Sequence, residues 1–114
     1  MQKTILYRNQ QVAYEVTGNG LPVMLLHGFA EDRLIWHPLL TELGEKYRWL
    51  VPDLPGSGGS SLNPALHSIP DFAEIPEAIR KEEHIRQMVI IGHSMGGYIS
   101  LAFAEKYPEM LKGL

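Results

Sequence analysis

The chain has 114 residues, the length of one small domain. With 45% hydrophobic and 20% charged residues it has the balance of an ordinary soluble globular protein. A net charge of −3 supplies no basic patch, which argues against nucleic acid as a partner, and zero cysteines exclude disulfides and thiolate metal sites.

The first residues, Met1 to Arg8, lack the apolar core of a signal peptide. No apolar run approaches bilayer length, so the expected setting is cytoplasmic, with no membrane partner. Residues 2–7 and 11–17 carry β-rich runs (Ile5, Tyr7; Val12, Tyr14, Val16) about a polar turn at Arg8, Asn9 and Gln10, and predict a hairpin. Gly18, Asn19 and Gly20 then break the chain. Residues 23–26 form a short continuous apolar run, the pattern of a strand buried on both faces. Asp32 is placed to cap a helix from about Arg33 to Lys46, with Leu34, Leu39, Leu40 and Leu43 as its apolar positions. Residues 49–51 are a second buried strand, ended by Pro52, and residues 53–64 are a loop rich in Gly, Ser and Pro. Ile69, Phe72, Ile75 and Ile79 recur at helical spacing and predict a helix within 70–84 that Pro76 kinks or restarts. Residues 88–91 are the third buried strand, and Ser94 to about Tyr107 is a helix stopped by Pro108.

Short apolar strands alternating with helical segments predict the α/β class: a mostly parallel sheet with flanking helices, in which 23–26, 49–51 and 88–91 lie adjacent and parallel. No repeat, low-complexity tract or domain boundary interrupts residues 1–114. The helix after Ser94 is apolar nearly all round until Glu105 and Lys106. Such a helix belongs deep in a larger protein, so neighbours beyond this chain are expected.

Gly92-His93-Ser94-Met95-Gly96 matches the G-x-S-x-G nucleophile elbow, directly after a buried strand and at the opening of a helix. That setting gives the pattern its meaning. A sharp turn must lift a serine hydroxyl above the sheet edge, and glycines at 92 and 96 let neighbouring backbone pass close. The competing role for Ser94 is a plain helix N-cap.

Three segments together resemble the α/β-hydrolase family. Gly92 to Gly97 is similar to its G-H-S-M-G-G elbow, His27-Gly28-Phe29 resembles its H-G-x oxyanion loop, and Asp53 to Ser60 resembles its D-x-x-G-x-G-x-S loop. The resemblance covers essentially the whole chain and implies a serine hydrolase acting on a small-molecule ester, thioester or related acyl bond. It implies Ser94 as nucleophile and the backbone N–H groups of Phe29 and Met95 as the oxyanion hole. His27, Gly28, Gly92 and Gly96 are then motif support, and His93 is structural. Asp53 is expected to hold its loop through backbone amides, and His37, His67 and His84 to face solvent.

The resemblance implies neither metal nor cofactor. No paired H-x-x-x-H spacing occurs, and Gly56-Ser57-Gly58-Gly59 fails the phosphate-loop pattern at Ser61. In the family the triad acid and histidine follow the serine on later strands, so they are expected beyond Leu114 and the chain alone is expected to be inactive. Strand 88–91 is then an open edge, through which self-association or a complementary fragment is expected. The second reading is a non-catalytic ligand-binding or interaction module on a hydrolase scaffold.

Overall fold

The computed structural model describes residues 1–64, 66 and 68–114, so the exposure expected of His67 falls outside the described residues. Two residues in the left-handed region, Arg8 (φ 49°) and Asn9 (φ 66°), turn the chain between β1 (Gln2–Tyr7) and β2 (Gln10–Thr17). Positive φ at both central positions matches the strand twist of a two-residue hairpin. β3 (Pro22–Leu26), β4 (Arg48–Pro52) and β5 (Met88–Gly92) follow, the first two mostly buried and β5 buried at Met88 and Ile90. A last short strand, β6, runs from Leu111 to Gly113.

The six strands form one mixed sheet in the order β1-β2-β4-β3-β5-β6. The hairpin joins it antiparallel through β2 and β4, whereas β4, β3, β5 and β6 are mutually parallel. The three apolar runs are therefore adjacent and parallel, as their composition predicts. Alternation along the strands divides their side chains between two cores. Met24, Leu26, Leu50 and Ile90 join one with Ile75, Ile79, Ile99 and Phe103, while Val23, Leu25, Trp49 and Val51 pack on the other against Trp36, Leu39 and Leu40. Helices thus cover both faces, which is why these strands read as continuous apolar runs.

Three expectations need correction. The helix expected over 33–46 is a 3₁₀ turn (Arg33–Trp36) followed by α1 (His37–Leu43), because Gly44 takes φ 65° and ends it. Asp32 does cap the start, accepting from the Leu34 N–H at 2.9 Å, but Leu34 and Leu43 are exposed. The helix expected over 70–84 is two, α2 (Ile69–Phe72) and α3 (Glu74–Glu82), broken at Ala73. Pro76 lies in the first turn of α3, where its missing N–H has no partner to lose. Finally, β5 is not the sheet edge, since Met88 pairs with Leu111 and Val89 with Gly113 across a bulge. The open edge passes to β6 and to the end of β5, where Ile91 is exposed. Among the described residues, no helix is long and apolar enough to cross a membrane.

Candidate active site

β3 and β5 are parallel neighbours in register, with Leu26 opposite Gly92. Both end at the same sheet edge, so the loop after β3 and the turn after β5 meet there. The His93 N–H donates to the Leu26 carbonyl at 3.0 Å and fastens that turn to β3. Next to it, Ser94 has φ 57° and ψ −118°, a backbone conformation that costs a non-glycine residue about 1–3 kcal/mol. Its residue is exposed, and its side chain makes no capping bond to α4 (Met95–Lys106), although it stands in the N-cap position.

The glycines explain how the chain reaches this geometry. A Cβ on Gly92 would stand 2.2 Å from the Gly96 carbonyl oxygen, and one on Gly96 would stand 2.3 Å from that of Leu26 and 2.7 Å from that of His27. Gly97 is different, for its Cβ would meet nothing closer than 3.7 Å.

The loop after β3 lies against the turn. A Cβ on Gly28 would come within 3.0 Å of the Ser94 Cβ and 3.2 Å of the His93 carbonyl oxygen. Phe29, 80% exposed, follows, and Ala30 turns through φ 62°. Among the described residues, the Phe29 and Met95 amides donate to no protein acceptor. Beside Ser94 a cavity of about 460 Å³ opens, bounded by Ile91, Tyr98, Leu101 and Leu114.

His27 is fully buried with both ring nitrogens engaged. Nε2 accepts from the Leu54 N–H at 2.9 Å, so Nδ1 carries the proton and donates to the Gly28 carbonyl at 2.8 Å. It ties the loop after β3 to the loop after β4. Asp53, also fully buried, accepts from the amides of Arg33 (2.8 Å) and Gly59 (2.9 Å) and from the Arg33 guanidinium at 2.6 Å. His37 and His84 are exposed, with His37 Nε2 3.1 Å from Glu15.

Sequence reasoning missed two residues here. Arg33 is the counterion of Asp53. Glu31 accepts from the Gly28 N–H at 2.7 Å with His93 Nδ1 at 3.2 Å from the same oxygen. The Gly28 amide holds the Glu31 carboxyl below its ordinary range, assisted by His93 against an opposing contribution from burial. A second cavity, about 480 Å³, runs from Glu31 and Asp32 to Gly56 and Gly58. Among the described residues, no group of three or more histidines and carboxylates is placed to hold a metal ion.

The family model of the alpha/beta hydrolase fold matches residues 22–114. A pimeloyl-[acyl-carrier protein] methyl ester esterase from Aeromonas hydrophila is 36% identical over 104 residues, which are 90% of this chain and 39% of that protein. Among solved structures, a thermophilic esterase from Thermogutta terrifontis is 35% identical, with a TM-score of 0.88 over 97% of this chain and 43% of its own. An N-acyl homoserine lactonase, AidH, is 30% identical, with a TM-score of 0.89 and the same coverage of 97% and 43%. The chain therefore spans less than half the length of each of these relatives.

Proposed function

This chain belongs to the alpha/beta-hydrolase fold family, and on that premise we propose that Ser94 is the nucleophile of a serine hydrolase acting on an ester, thioester or related acyl bond. The observation that carries the reading is the exposed, uncapped Ser94 at φ 57°, with the loop after β3 packed against its Cβ. A strained serine with no capping bond is a costly way to begin a helix, and an economical way to present a hydroxyl.

In this mechanism Ser94 Oγ attacks the acyl carbon of a small-molecule substrate while a base takes its proton. The carbonyl oxygen becomes an oxyanion, bound by the amides of Phe29 and Met95, each worth about 2.7–4 kcal/mol at the transition state. The N-terminus of α4 adds a favourable dipole. His27, buried beside the elbow, has no free ring nitrogen to act as that base. Base and triad acid would come from residues outside these 114, and without the histidine kcat falls by roughly 10⁶-fold. Two of these relatives are an esterase and a methyl ester esterase and the third is an N-acyl homoserine lactonase, which supports this substrate class.

A fluorophosphonate probe tests the reading on the full-length protein that carries this sequence. The expected result is a single covalent adduct on Ser94, lost in Ser94→Ala and absent from the isolated chain. A full-length protein that takes no adduct would favour the non-catalytic binding module.

A further inference from the structure

We propose that Glu31 is a positioning residue that latches the oxyanion loop to the nucleophile elbow, its Oε1 holding the Gly28 amide and the His93 imidazole at once. The inference rests on the reading of Ser94 as nucleophile and of Phe29 as an oxyanion donor.

Both polar groups of Gly28 are occupied by the loop itself. Its N–H donates to Glu31 Oε1 at 2.7 Å, and its carbonyl accepts from His27 Nδ1 at 2.8 Å and from the Glu31 N–H at 3.3 Å. The peptide that joins Gly28 to Phe29 is trans, so the Phe29 N–H points opposite to the Gly28 carbonyl. Fixing that carbonyl from one side therefore fixes the direction in which the Phe29 N–H is offered. The turn needs such fixing, because Ala30 sits at φ 62° without the freedom of glycine. Glu31 closes it twice, once with its backbone and once with its side chain.

The same carboxylate oxygen reaches across to the elbow. An ionised carboxylate can only accept, so His93 Nδ1 carries a proton toward Oε1 at 3.2 Å. His93 immediately precedes Ser94, and its own N–H is bonded to Leu26. One side chain thus spans the donor loop and the residue beside the nucleophile. Gly28 is what permits the approach, since a Cβ there would lie 2.8 Å from Oε1. Asp32, the nearest other acid in sequence, uses its carboxylate to cap Leu34, leaving Glu31 alone in this bridge.

The experiment compares hydrolysis of a p-nitrophenyl ester by the full-length protein and its Glu31→Ala, Glu31→Gln and His93→Ala variants. Losing one oxyanion donor costs roughly 10²–10³-fold in kcat, so a donor left loose costs about 10–100-fold. Glu31→Ala is expected to lower kcat by that factor with KM within about twofold, as for an interaction made only at the transition state. Glu31→Gln keeps an acceptor for the Gly28 amide and is expected to recover most of the loss. His93→Ala, at an exposed position, is expected to lower kcat about threefold at unchanged KM. Wild-type kcat in Glu31→Ala overturns the latch, as does a Gln variant no better than Ala. Should Glu31→Ala fail to fold, wild-type kcat in His93→Ala overturns it. A Ser94→Ala control that keeps full activity would instead refute the nucleophile assignment.

Discussion

Gly96 meets the carbonyl oxygen of Leu26 so closely that a single added carbon, the Cβ of any other residue, would stand 2.3 Å from it. The first turn of α4 is thereby pressed onto the end of β3, and the elbow exists only because position 96 has no side chain. Gly92 carries a matching constraint, its missing Cβ lying 2.2 Å from the Gly96 carbonyl oxygen. Backbone atoms on both sides cannot yield as a flexible side chain would. Gly96→Ala and Gly92→Ala are each expected to destabilise the fold by about 3 kcal/mol, the upper end of overpacking penalties. Gly97→Ala is the contrast: it meets only ordinary contacts in a helix and is expected to stabilise by about 0.5–1 kcal/mol. Denaturant midpoints of the three variants check the ranking.

The loop after β4 depends on one ion pair. Asp53 is fully buried, and its charge is met by the Arg33 guanidinium at 2.6 Å and two backbone amides. Gly58 (φ 50°) lets the loop wrap the carboxylate, since its Cβ would fall 2.5 Å from Oδ2. Arg33→Ala leaves the buried carboxylate with the amides alone and is expected to cost about 3–5 kcal/mol. Arg33→Met combined with Asp53→Asn is expected to cost less than the sum of the two single changes. A double-mutant cycle that adds up to within about 0.5 kcal/mol would show that the pair is not coupled.

Much of this was legible in the sequence, and the reason is burial. β3, β4 and β5 send side chains into both cores, so each appears as an unbroken apolar run, and the elbow is marked by glycines that sterics demand at 92 and 96. The early end of α1 was not legible because Gly44 acts through a positive φ, which composition does not disclose. Leu111, Lys112 and Gly113 have no pattern of their own and are strand by pairing with β5. Arg33 and Glu31 escaped for a different reason: the Arg33 guanidinium meets Asp53, 20 residues away, and Glu31 joins the nearby Gly28 amide to His93, 62 residues away. Nothing local marks either side chain as a bridge.

Stability is expected to fall on the acid side through Glu83. This carboxylate is nearly buried and accepts from the Tyr14 hydroxyl (2.5 Å), Lys3 (3.0 Å) and Arg48 (2.6 Å). Burial pushes its pKa up, but the bonds from Tyr14 and Lys3 and the charges of Lys3 and Arg48 outweigh it, and the net effect is below the ordinary 4.5. A carboxyl depressed in the folded state stabilises above its unfolded value and loses that contribution as pH falls through its folded value. Glu83→Gln is expected to weaken the fold at neutral pH and to flatten the decline below pH 4.5. On the alkaline side, the bond to Glu74 and burial hold the Tyr107 hydroxyl up at about 12 against the ordinary 10.0. Its contribution is present below 10.0 and disappears as pH rises toward 12, a loss that Tyr107→Phe should abolish. Thermal melts across the two ranges give both slopes.

The apolar surface beside Ser94 has a consequence for the 114-residue chain as a free polypeptide. Ile91, Tyr98, Leu101 and Leu114 are 40%, 67%, 58% and 59% exposed and border one cavity. They adjoin the end of β5 that β6 leaves unpaired, so apolar side chains and free strand groups share one edge. Fully covering a large apolar side chain is worth about 1.5–3 kcal/mol, and an unpaired strand edge offers a template for another chain. Set against a net domain stability of about 5–15 kcal/mol, that is enough to drive association. The isolated chain is expected to sediment as dimers or larger species whose share grows with concentration. Leu101→Lys and Tyr98→Lys face outward from α4, so they are expected to shift the distribution toward monomer with little change in helix content by circular dichroism. A wild-type chain that sediments as one folded monomer at tens of micromolar and unfolds cooperatively would show that this edge needs no cover.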